Sequence, residues 1–287
     1  MLRFFLAAAV IFAGAAIGPS QQTHKTNPDA PEPTSTAASQ STDQRSPPAT
    51  GFLFSTTELK GRTHAYCVYI PPEYTPDKAW PVVLFLHGSR AAGTDGFLQT
   101  DNGIAKAIRR KRALCPAIVV MPQAPRGQWW AGDALLMALR CVEETSLRYH
   151  CDSNRVYLTG LSMGGAGTWL LGSQMPDVFA ALIPISGFLE QPRLPPSPAE
   201  LERAAANLVR VPIWCFHGSA DHNVSVERSR ELVAAVQAAG GTIKYTEYPE
   251  GGHDIWERVY ANPAVWRWLL AQKREAHGAA PHSQGEP

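Results

Sequence analysis

The stretch Arg155-Val156-Tyr157-Leu158-Thr159-Gly160-Leu161-Ser162-Met163-Gly164-Gly165 decides how the chain is read. Val156–Thr159 is a continuous apolar run of strand length, and small and apolar residues follow at helical spacing from Met163 to Gln174. Between them, Gly160-Leu161-Ser162-Met163-Gly164 puts one serine on the turn from strand into helix. A side chain held out on so sharp a turn needs neighbours without a Cβ, which is the reason for Gly160 and Gly164. Ser162 is the candidate nucleophile.

The same alternation extends both ways. Apolar runs at Tyr66–Ile70, Val82–Leu86, Ala117–Met121, Ala181–Ile185, Val211–Phe216 and Ile243–Tyr248 predict further strands. Helical patterns cover Asn102–Arg112, Asp133–Tyr149, Met163–Gln174, Ser225–Ala239 and Pro263–Ala271, with Gly240-Gly241 as a stop signal. Continuous rather than alternating runs belong to strands buried on both faces, so the pattern predicts an α/β fold with helices on both sides of a mostly parallel sheet.

A serine needs a base, and the base needs an orienting carboxylate, in the chain order Ser, acid, His for such a strand-to-helix turn. His24, His277 and His282 lie in polar ends, and His64 and His150 have no strand-end context. His87 and His217 close apolar strands ahead of the expected base position, and His222 precedes the last strand. That leaves His253, in Glu250-Gly251-Gly252-His253-Asp254 after the strand Ile243–Tyr248. The loop after Val211–Phe216 supplies Asp221 as the acid. Asp254 is the rival, but as the neighbour of His253 it reaches that ring's Nδ1 with difficulty.

An oxyanion hole needs two backbone N–H groups: Met163, directly after the nucleophile, and Ser89, in the loop after Val82–Leu86. His87 is expected to pack and bond that loop, with a place at the substrate as its other reading. Trp129 and Trp130 lie beyond a strand end on the site's side, and either can face the cleft.

The chain has 287 residues and a formal charge of +1 with no basic block, which gives a polyanion-binding role no support. No His, Cys and Asp spacing fits a zinc site, and the chemistry calls for no metal and no cofactor. Residues 1–17 read as a signal peptide, residues 18–50, rich in Pro, Ser, Thr and Gln, as a disordered linker, and residues 273–287 as a disordered tail. The catalytic domain is expected over 51–272, in a secreted or periplasmic monomer with no membrane span in the mature chain. Five cysteines leave at least one thiol unpaired, with Cys141–Cys151 an awkward but open disulfide. Residues Gly187–Arg210, with several prolines, read as a cap over the cleft or a solvated connector.

The chain resembles the α/β-hydrolase superfamily, in its exported esterase branch near feruloyl and acetylxylan esterases and polyhydroxybutyrate depolymerases. The resemblance is carried by Phe85-Leu86-His87-Gly88-Ser89 with Gly93-Thr94-Asp95, Pro122-Gln123 with Gln128-Trp129-Trp130, and the Ser162 stretch. It continues through Phe216-His217-Gly218, Gly252-His253-Asp254-Ile255-Trp256, Ala261-Asn262-Pro263 and Trp268-Leu269-Leu270. It implies a serine hydrolase acting on a small or polymer-borne carboxylic ester through an acyl-enzyme. Two departures stand out: Ser89-Arg90-Ala91-Ala92-Gly93 lacks the glycine and acid usual before its last Gly, and His222-Asn223 follow Asp221 where aliphatic residues are usual. The alternatives are a serine peptidase on the same triad and, from another class, a non-catalytic polymer-binding module.

Overall fold

The computed structural model describes residues 49–189 and 196–274. The leader, the linker up to residue 48 and the tail from residue 275 lie outside the described residues. Eight strands form one sheet: β1 (Gly51–Leu59), β2 (Arg62–Ile70), β3 (Trp80–Leu86), β4 (Ile118–Pro122), β5 (Cys151–Leu161), β6 (Ala181–Ile185), β7 (Ile213–Gly218) and β8 (Ile243–Tyr248). Their order is β1-β2-β4-β3-β5-β6-β7-β8. β1 and β2 run antiparallel to their neighbours, and every pairing from β4 to β8 is parallel.

The helices are α1 (Gly103–Arg110), α2 (Asp133–Arg148), α3 (Met163–Gln174), α4 (Pro198–Leu208), α5 (Glu227–Ala238), α6 (Trp256–Ala261) and α7 (Pro263–Ala271). The apolar residues of α2, α3, α4 and α5 build one core with Val156 and Leu158 of β5. Those of α1, α6 and α7 build the other with Tyr157 and Leu161. Period-two alternation along β5 thus feeds both faces, as a buried parallel strand must. Among the described residues no helix is long and apolar enough to cross a membrane.

Several elements depart from the sequence reading, among them α6, which no helical pattern marks, and β2 and β5, which begin before their apolar runs. β1 is an additional edge strand, joined to β2 by Lys60-Gly61, both at positive φ. Within Gly187–Arg210 lies α4, opened by a capping box in which Ser197 Oγ accepts from the Glu200 N–H and Glu200 accepts from the Ser197 N–H. It packs on α3 and α5, so this part of the segment is neither cap nor solvated connector. β7 starts at Ile213, two residues later than predicted, because Pro212 has no N–H to give a ladder. All five cysteines are free thiols, and Cys141 Sγ donates to Met137 Sδ at 3.7 Å, so the open Cys141–Cys151 disulfide does not form.

The contact of α3 with β3 sets the position of the serine turn. A Cβ on Gly164 would lie 1.8 Å from the Leu86 carbonyl oxygen, and one on Gly160 would lie 2.3 Å from the Gly164 oxygen. Both obstacles are backbone and cannot swing aside. Gly164→Ala is expected to cost ~3 kcal/mol or more and to lower Tm by roughly 6–12 °C, as overpacking in a domain of this size does. Calorimetry checks it: a Tm within about 2 °C of the parent would show that α3 lifts off the sheet freely.

Candidate active site

Ser162 follows the last residue of β5 and caps α3 with φ 54° and ψ −118°. This is a strained conformation for a residue with a side chain, held by the Ser162 N–H donating to the Ile185 carbonyl at 2.9 Å. The turn points Oγ at the carboxyl ends of the strands, where the loops after β7 and β8 meet it. Oγ lies 2.9 Å from His253 Nε2, and His253 Nδ1 lies 2.7 Å from Asp221 Oδ2. The structure thus brings together all three residues selected from the sequence.

Each partner is fixed by its own loop. The Asp221 Oδ1 accepts the N–H groups of Asn223 and Val224 at 2.8 and 2.9 Å. Burial pushes the Asp221 carboxyl up, but the Val224 N–H, the His253 ring and the Asn223 N–H outweigh it and hold the group below its ordinary range. The His253 loop lies directly on the acid loop: Ala220 N–H donates to the Gly251 carbonyl at 2.9 Å, and a Cβ on Gly218 would sit 2.2 Å from that oxygen. Ser186 Oγ donates to the His253 carbonyl at 3.0 Å, and the Trp256 ring stands edge-on to the imidazole at 5.4 Å. Neither residue is singled out by the sequence as a site residue: the Ser186 contact is tertiary, and the Trp256 contact depends on how the chain turns after His253. Asp254 lines the cavity, while the imidazole pairs with Asp221.

Ser162 and His253 open into a cavity of about 930 Å³ lined also by Ser89, Met163, Trp129, Phe188 and Trp256, with Asp221 buried behind the imidazole. Ser89 and Met163 are the first residues of a 3-10 helix (Ser89–Ala91) and of α3. A first-turn N–H has no acceptor within its own helix, so both are available to an oxygen in the cavity. Gly88 brings the two turns together, since a Cβ there would meet Leu161 Cδ1 at 2.8 Å.

The two adjacent tryptophans separate. Trp129 lines the cavity, 6.0 Å from the Phe188 ring. The expectations that Trp130 and His87 touch substrate are corrected, because both are buried beneath the cavity and committed to internal bonds. Trp130 Nε1 donates to the His87 carbonyl at 2.8 Å. The Ala124 N–H donates to His87 Nε2 at 3.0 Å, so His87 Nδ1 carries the proton and donates to the Gly88 carbonyl at 2.7 Å. Burial lowers the His87 pKa to about 4, so the ring stays neutral. Gln123 braces the departing loop, accepting from the Gly96 N–H at 2.7 Å and donating to the Ala91 carbonyl at 3.1 Å.

The arrangement passes a proton from a hydroxyl to an imidazole whose other nitrogen faces an ionised carboxylate. Known proteins share the fold and the family. The Esterase family model matches residues 56–138. A crystal structure of a thermostable esterase is 33% identical with a TM-score of 0.68, covering 78% of this chain and 63% of its own. Poly(3-hydroxyalkanoate) depolymerase C of Paucimonas lemoignei is 30% identical over 50% of this chain and 40% of its own length. An uncharacterized secreted protein of Arthroderma benhamiae is 26% identical over 69% of this chain and 24% of its own length. The chain therefore spans less than half the length of these two curated relatives. The Dienelactone hydrolase family model matches residues 116–264, more than half of the chain and all three residues at the strained turn and its facing loops. The fold, the serine turn and this match place the chain in the dienelactone hydrolase family, on the α/β-hydrolase fold.

Proposed function

We propose that the protein hydrolyses carboxylic esters through an acyl-enzyme on Ser162, with His253 as base and Asp221 as its orienting acid. The observation that carries this is the pair of bonds from Ser162 Oγ through the His253 ring to Asp221, at 2.9 and 2.7 Å, opening into a cavity. Ser162 Oγ attacks the carbonyl carbon as Nε2 takes its proton. The Ser89 and Met163 N–H groups receive the charge on the carbonyl oxygen. The imidazolium gives the proton to the leaving alkoxide; water then repeats the sequence on the acyl-enzyme and frees the acid. Trp129, Phe188 and Trp256 give an apolar wall suited to an acyl or alcohol group on a small or polymer-borne ester, which matches the depolymerase relative. The mature enzyme acts outside the cytoplasm, a reading supported by the apolar leader and the secreted relative.

The test is turnover of p-nitrophenyl acetate against an aminoacyl anilide, with fluorophosphonate labelling of the serine. Ester turnover with label on Ser162 is expected; anilide turnover exceeding that of the ester would make the enzyme a peptidase, and no label would leave a binding module. Short-acyl, feruloyl and hydroxybutyrate esters then rank the substrates.

The acid dependence follows from the same groups. A protonated His253 accepts nothing from Ser162, so kcat/KM falls as pH falls. Asp221, held below the ordinary carboxylate range, stays ionised through that fall and contributes no proton to it. The logarithm of kcat/KM should therefore rise with unit slope along its acid limb until it levels. A slope of about two would bring a second proton into the step and end this account.

A further inference from the structure

Asp221 carries one hydrogen bond more than the loop and His253 supply. Its Oδ2, already facing His253 Nδ1, lies 3.1 Å from Nε2 of a second histidine, His217. His217 sits near the end of β7, is fully buried, and is not part of the cavity wall, so it touches no substrate. The same Nε2 lies 3.1 Å from the Val224 carbonyl oxygen. Neither a carboxylate nor a carbonyl can donate, so Nε2 carries the proton and donates to both. Nδ1 lies 2.7 Å from Ser229 Oγ on α5. Burial lowers the His217 pKa and favours the neutral ring, so Nδ1 is the bare nitrogen and accepts the Ser229 hydroxyl proton.

We propose that His217 is a positioning residue for the acid of the triad: a neutral imidazole, its tautomer set by Ser229, whose Nε2–H pins Asp221 Oδ2 beside His253. The inference rests on the reading of Ser162, His253 and Asp221 as that triad. With His217 in place all four acceptor directions of the carboxylate are filled, and the side chain has one orientation. The bond also withdraws negative charge from the oxygen that faces His253. Without it the carboxylate stabilises the His253 imidazolium more strongly, and His253 releases its proton at higher pH.

Other charged groups near His217 are already engaged. Glu247, its register partner on β8, is held by Arg230 Nε and Nη2 of α5 at 3.0 and 2.6 Å. The Cys215 thiol on β7 is pushed up to about 12 by burial and stays neutral. Asp254, next to His253 in the loop after β8, and Arg228 of α5 lie in the cavity wall.

The experiment compares His217→Leu with His217→Gln in the full chain, because the Gln amide nitrogen stands as many bonds from the backbone as Nε2. For His217→Leu we expect a roughly ten- to hundred-fold loss of kcat, the scale of a lost hydrogen bond to a charged group, with KM within about twofold. The acid limb of kcat/KM should move to higher pH in His217→Leu and return in His217→Gln. A residue that only filled space would lower Tm in both variants and leave the limb where it was. Should His217→Leu not accumulate as folded protein, Ser229→Ala reads the same device, with a smaller shift in the same direction. An unmoved limb with kcat within about twofold of the parent overturns the proposal. Ser162→Ala, run alongside, separates the two failures. An active Ser162→Ala enzyme removes the triad reading itself, whereas an inactive one beside an indifferent His217→Leu removes only the role of His217.

Discussion

Ser162→Ala should abolish ester turnover, with kcat falling by about 10⁶, while the protein keeps its fold. The size follows from the unit the serine belongs to. His253 and Asp221 have no other nucleophile to activate, because the imidazole Nε2 faces Ser162 Oγ alone among the described side chains. What remains is binding and the two N–H groups of Ser89 and Met163, which support a residual rate over water of roughly 10³–10⁴. The substitution adds no atom where space is short, and Ala tolerates the φ of 54° no worse than Ser, since both carry one Cβ. Stopped kinetics on p-nitrophenyl acetate, with the thermal midpoint as the control for folding, checks both halves. Retention of even a tenth of the parent rate would end the assignment of Ser162.

The parts of this molecule that could be read in the sequence are those whose physics is local. The bounds of α3, α7, β6 and β8 coincide with the apolar runs that predict them. The stop after α5 is a local device too: Gly240, at φ 88°, lets its own N–H reach the Gln237 carbonyl and that of Gly241 reach Val236. The three residues of the proposed triad were legible because chain order and strand ends leave one histidine and one carboxylate in place.

The missed elements fail for different reasons. β1 is an edge strand with Phe54 half exposed, so neither a continuous nor a strict alternating pattern marks it. Its one signal was the Lys60-Gly61 turn. The α4 signal, Ser197-Pro198-Ala199-Glu200, was present but lay within a proline-rich run that reads as a connector. Trp129 and Trp130 could not be separated at all, since adjacent loop residues have no periodicity to assign their faces. Only the Trp130 bond to His87, across 43 residues, turns one of them inward. The bond of Ser186 to His253, across 67 residues, is likewise invisible to any local pattern.

Asp221→Asn should lower kcat by about 10⁴ while leaving the loop geometry in place, because it changes which nitrogen of His253 holds the proton. The Asn223 and Val224 N–H groups both point at Oδ1 and require an acceptor there. An asparagine at this position must therefore keep its carbonyl oxygen on that side, and its NH₂ takes the place of Oδ2. That NH₂ now faces His253 Nδ1 across 2.7 Å, where the carboxylate oxygen had been, and it opposes the His217 Nε2–H across 3.1 Å, donor against donor, which lowers the thermal midpoint. A donor opposite Nδ1 favours the tautomer with the proton on Nε2, which then points an N–H at Ser162 Oγ instead of a lone pair. The base is in position but already protonated on the wrong nitrogen. The loss should appear in kcat with KM little changed, since no cavity contact is altered, and the thermal midpoint should fall modestly. A decrease of less than about a hundred-fold in kcat would mean that His253 draws its orientation mainly from elsewhere, with the Ser186 bond to its carbonyl as the first place to look.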